Sequence, residues 1–141
     1  MRRLAALALA VVVLGGCGGE VTAPRLEASL ATSVLHRYAL QQHVIGLAGF
    51  SPAGLGSAAT CRRTSSRTPL RGAGQDWVCT VRFTATGRAP AAATFAVPAR
   101  PDGCYAASGP AGTVGPATLR TAAGTLVENP LAAFDGCFDL D

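Results

Sequence analysis

The chain contains no lysine, so all twelve basic residues are arginine. Against eight acidic residues they leave a formal charge of +4. Residues 1–16 hold two of those arginines and no acid, so the remainder carries 10 − 8 = +2. That balance is too slight to attract nucleic acid, and no nucleic-acid partner is expected. Aromatics are scarce as well: one Trp, two Tyr and five Phe in 141 residues. Much of the apolar content is alanine, which buries little area per residue, so the core must be small. Ala, Gly, Pro and Arg share GC-rich codons, and their abundance marks a GC-rich genome as much as any helix.

Motifs of catalysis and cofactor binding are also lacking. No serine sits in a Gly-x-Ser-x-Gly elbow, and Ser29 and Ser33 are merely helical neighbours of the histidines. No glycine-rich loop follows a strand and opens a helix; Gly112 and Gly115 lie in a Pro-rich stretch suited to turns. His36 and His43 are seven residues apart, which on a helix separates them by about 10.5 Å along the axis. One metal ion cannot span that distance, so they read as a solvated face. Asp135, Asp139 and Asp141 lack the spacing of a calcium loop and read as a solvated acidic tail. No metal and no cofactor are expected.

The longest apolar run is at the N-terminus, and it is short. After Met1-Arg2-Arg3, residues 4–14 form eleven apolar positions. A hydrocarbon core needs about 20, so this run matches a signal-peptide h-region instead. It ends in Leu14-Gly15-Gly16-Cys17. The segment resembles the lipobox of bacterial lipoproteins: leucine, two small residues, then cysteine. The resemblance implies that the Cys17 thiol receives a diacylglycerol carrying palmitate-type chains, with cleavage before Cys17. It also implies a protein held by lipid on the extracytoplasmic face of the cell membrane. The expected organisation is a signal peptide over 1–16, a lipidated cysteine and tether over 17–24, and one domain over 25–141.

Four cysteines remain: Cys61, Cys79, Cys104 and Cys137. An even number in an exported domain reads as two disulfides. Three connectivities exist. Cys61–Cys79 and Cys104–Cys137 are favoured because neighbouring segments usually pack together. The rival four-cysteine zinc site would show Cys-x-x-Cys knuckles, whereas the spacings here are 18, 25 and 33. Cys79 shares a face with Trp77 and Val81, so its bridge should be buried. Cys104 and Cys137 each follow Asp-Gly.

Leu26, Leu30, Val34, Tyr38 and Ile45 recur at helical spacing, interrupted by Arg37 and Gln41. Pro24 suits the first turn, Thr22 the cap, and Gly46 and Gly49 the end. A strand is expected over 58–63, then a polar, flexible loop over 64–74. The clearest strand alternates Trp77, Cys79, Val81, Phe83 and Ala85 with Val78, Thr80, Arg82 and Thr84. A turn over 86–90 leads to a returning strand over 91–97. Residues 108–116 read as loop, 118–121 and 125–128 as a hairpin, and 131–134 as a helical turn that Gly136 ends. The fold expected is α+β: a long amphipathic helix across an antiparallel sheet of four or five strands. That order of elements resembles lipoproteins of unknown function from high-GC Gram-positive bacteria, a likeness that implies no activity.

Two functions fit. The lack of a nucleophile–base pair favours a non-enzymatic binding or accessory module of the cell envelope over a small secreted hydrolase or other enzyme with an unrecognised site. Arg62, Arg63, Arg67 and Arg71 form a candidate anion-binding run, suited to a lipid head group or wall polymer. An envelope protein is the other candidate partner, beside the membrane itself.

Overall fold

The computed structural model describes residues 19–47, 55–84 and 91–140. The signal segment, Cys17, Gly49, Phe50, the 86–90 turn, Ala85 and Asp141 lie outside the described residues.

Helix α1 spans Ala23–Val44, with Pro24 in its first turn. Thr22 occupies the N-cap position with extended backbone, but its hydroxyl makes no capping bond. Its backbone carbonyl instead accepts from Leu26 N–H at 3.0 Å. At the other end Gly46 takes a left-handed φ of +90°. This lets Gly46 N–H reach the His43 carbonyl and Leu47 N–H reach the Gln42 carbonyl, both at 3.0 Å.

Five strands follow in one antiparallel sheet. They are β1 (Gly56–Arg63), β2 (Trp77–Thr84), β3 (Ala91–Ala96), β4 (Cys104–Ser108) and β7 (Ala133–Cys137), in that spatial order. Between β4 and β7 the chain makes an excursion. It forms the short helix α2 (Ala111–Val114) and a separate hairpin of β5 (Thr118–Arg120) and β6 (Leu126–Glu128). The architecture is the expected α+β one, at the upper end of the expected strand number.

Alternation along β2 decides which face is covered. Trp77, Cys79, Val81 and Phe83 are buried against Leu26, Leu30 and Val34 of α1, and Arg82 points outward to solvent. The inward side chains of β3 and β4 (Ala93, Phe95, Tyr105 and Ala107), with Val97 just beyond β3, extend that core. Tyr38 caps it, with its ring centroid 4.6 Å from that of Phe83. The opposite face of the sheet carries no helix among the described residues. Edge strand β1 is not left bare: Cys61 N–H donates to Glu27 Oε1 at 2.8 Å, and Ser57 Oγ to the Ala31 carbonyl at 3.1 Å. The Glu27 carboxylate of α1 thus satisfies an edge N–H that would otherwise invite another strand.

Several expectations are corrected. Residues 131–134 form no helical turn: Ala132 N–H closes a tight turn onto the Asn129 carbonyl, and Phe134 already lies in β7. Gly136 sits inside that strand rather than ending a helix. It faces Tyr105, and a Cβ there would overlap the Tyr105 ring. Residues 108–116 contain α2 and are not all loop. Ile45 leaves the stripe and is exposed, because the helix has ended. Gln41, read as an interruption, is buried. Its Nε2 donates to the Val114 carbonyl (2.8 Å) and to Asn129 Oδ1 (3.0 Å). Asn129 in turn donates to the carbonyls of Val114 and Pro116. A buried amide with its partners supplied joins α1, α2 and the turn before β7.

Candidate functional site

Both disulfides form as expected, and each joins directly opposed residues of adjacent strands. Cys61 faces Cys79 across β1 and β2, with Cα atoms 4.1 Å apart. Cys104 faces Cys137 across β4 and β7, at 4.0 Å. Such short separations belong to the non-hydrogen-bonded positions of an antiparallel ladder, where side chains come closest. The strand alternation then puts the two bridges on opposite faces. Cys61 and Cys79 are buried, at 4% and 0% exposure, and Cys137 is exposed on the open face. The Asp102-Gly103 turn delivers Cys104: Gly103 adopts φ +81°, and Asp102 Oδ1 accepts from Cys104 N–H at 3.0 Å. Arg100 holds the Asp102 carboxyl below the ordinary carboxylate range, chiefly through their hydrogen bonds, with the Cys104 N–H next.

A cavity of about 400 Å³ lies beside the Cys104–Cys137 bridge, lined also by Gln75, Pro98, Arg100 and Asp135. Asp135 therefore belongs to the sheet, not to the tail. A second groove of about 510 Å³ runs between α1 and residues 137–139, lined by Ser29, Thr32 and Ser33. The Ser29 and Ser33 hydroxyls bond the Tyr105 hydroxyl at 3.0 and 3.1 Å. No imidazole is among the residues lining this groove; His36 and His43 are exposed further along α1. Among the described residues no group of three His, Cys, Asp or Glu is placed to hold a metal ion. Sequence spacing gave no hint of either groove, because their walls come from segments far apart in the chain.

The exposure difference predicts an order of reduction. Thiol–disulfide exchange requires the attacking thiolate to reach a sulfur. Under mild reductant the folded protein is expected to open Cys104–Cys137 first, with Cys61–Cys79 retained. Alkylation followed by peptide mass mapping reads this directly. Label appearing first on Cys61 and Cys79 would contradict it.

The arginine run divides. Arg63 is buried, with its side chain 4% exposed. Its Nη1 pairs with Asp76, and its Nη2 donates to the carbonyls of Arg71 and Gly72 (2.7 Å each) and Ala73 (3.3 Å). The guanidinium lies 4.2 Å from the Trp77 ring centroid. Arg63 is therefore withdrawn from the anion-binding set, because its terminal nitrogens are already occupied. Arg62, Arg67 and Arg71 remain exposed. Nor is all of 64–74 loose: it is anchored through Gly72 N–H to the Val21 carbonyl (2.7 Å) and Gly74 N–H to that of Ala99 (2.9 Å). No known protein family, curated protein or solved structure matches the chain.

Proposed function

We propose that this protein is an extracytoplasmic lipoprotein, anchored by acylation of Cys17, whose domain is a non-enzymatic binding or accessory module of the cell envelope. The observation that carries the reading is the ordered sequence Arg2-Arg3, an apolar run of eleven residues that ends at Leu14, then Gly15-Gly16-Cys17. The two disulfides support an oxidising compartment. Among the described residues no helix is long and apolar enough to cross a membrane, which is consistent with a lipid as the anchor. Two acyl chains hold a protein on a bilayer far better than one.

The test is Cys17→Ala. Wild type is expected to enter the detergent phase on cloud-point partitioning, and its N-terminal peptide to carry the mass of acyl chains. The variant should move to the aqueous phase or remain as uncleaved precursor. Equal detergent partitioning together with normal cleavage of the variant would sink the anchor reading.

A further inference from the structure

We infer that the loop carrying Arg67, Leu70 and Arg71 is a second membrane contact, laid on anionic phospholipid head groups beside the acyl anchor. This inference rests on the proposed lipidation of Cys17. It begins from where the fold puts the loop. Ala23 N–H donates to the Leu70 carbonyl at 3.1 Å, and Thr22 pairs with Arg71 in an isolated antiparallel bridge. The arginine-bearing loop is thus fastened to the start of α1. Cys17 precedes Gly19 by two residues, a reach of about 7 Å at most. A lipid on Cys17 therefore holds this end of the domain close to the head groups.

The chemistry of the loop matches that surface. Leu70 is 55% exposed, an apolar side chain presented between two exposed arginines, with Pro69 preceding it. Arg62 and Arg67 make no ion pair among the described residues. Arg71 has only a 4.0 Å approach to the exposed Glu20. Arginine matches phosphate geometry, and each arginine near an anionic leaflet is favoured roughly fivefold. Such contact alone is weak, but the anchor supplies it at high local concentration. The opposite end of α1 lies about 33 Å away for 22 residues. There the β5–β6 hairpin adjoins Gly46 through Ala122.

Trypsin provides the readout, because Arg67 is exposed in the loop and Arg120 is exposed in that distant hairpin. The protein, purified with its native N-terminus, is mixed with vesicles of phosphatidylcholine alone or of phosphatidylcholine with phosphatidylglycerol. Cys61–Cys79 holds the nicked loop together, so cleavage is read after reduction. Cleavage after Arg67 is expected to slow at least about fivefold on the anionic vesicles. Cleavage after Arg120 should be the same on both. Leu70→Ser should lose part of the protection. Flotation with both vesicles but equal cleavage at Arg67 overturns the docking and leaves the anchor standing. Flotation with the anionic vesicles alone refutes the anchor and keeps the docking; flotation with neither refutes both. Equal protection by a soluble glycerol-phosphate polymer in detergent would also overturn it, in favour of a wall-polymer ligand.

Discussion

Replacing Leu30 with alanine is expected to lower the unfolding free energy by about 3–4 kcal/mol. Leu30 is 0% exposed and sits mid-way along the buried stripe of α1, between Leu26 and Val34. Its side chain closes the core over β2, where Trp77, Cys79 and Val81 are likewise fully buried. Truncation removes the transfer free energy of the lost carbons and leaves a cavity. The two disulfides oppose collapse into that cavity, since they pin β1 to β2 and β4 to β7. The cost should therefore lie in the upper half of the range for such substitutions. The exposed Leu40, ten residues further along the same helix, is the control: Leu40→Ala should change stability by under about 0.5 kcal/mol. Denaturant unfolding followed by Trp77 fluorescence measures both. A Leu30→Ala loss below about 0.5 kcal/mol would mean that α1 does not dock as described.

The sequence made some of this legible because some of its patterns have one physical solution. Alternation over 77–83 admits only a strand with one covered face, and the leucines of α1 admit only an amphipathic helix. The cysteine pairing followed because both bridges join segments adjacent in the sheet. Strand β7 was hidden: Phe134-Asp135-Gly136-Cys137 offers few β-formers, and Gly136 looks like a breaker. The local pattern cannot show that Tyr105 needs a glycine opposite it so that its ring can lie across the sheet toward Ser29 and Ser33. Arg63 was misread for a similar reason. Four arginines close in sequence look alike, but strand alternation turns Arg62 outward and Arg63 inward. Only tertiary placement of the 70–74 backbone supplies the carbonyls that occupy it. The loop carrying Arg67 and Arg71 was visible as charge, while its attachment to the start of α1 required the fold.

Arg63→Ala is the second large effect, at about 3–4 kcal/mol, and it should also free the loop. The guanidinium fills a buried site on the Trp77 ring and donates to Asp76 and to three successive carbonyls. Desolvated cation–π contact contributes about 2 kcal/mol and charge-assisted hydrogen bonds about 1.5–3 kcal/mol. Against this stands the desolvation of the guanidinium, whose Nε has no partner, so the sum is not the simple total. Asp76 is about a third exposed and can be resolvated once Arg63 is gone. Asp76→Ala, by contrast, strands the buried cation, though the bonds from its Nη2 to the Arg71, Gly72 and Ala73 carbonyls remain. It should cost about 2–3 kcal/mol, somewhat less than a fully buried pair broken from one side. Arg63→Lys separates charge from geometry, because an ammonium keeps the charge but cannot span Asp76 and the carbonyls together. It should recover less than half of the loss. Arg63 also holds the 71–73 backbone against which Val21 and Trp77 Nε1 are bonded. Hydrogen exchange at Gly72 and Ala23 should therefore accelerate in Arg63→Ala far more than exchange in β3. A loss under about 1 kcal/mol with unchanged protection at those two amides would show that the loop is held by its backbone bonds alone.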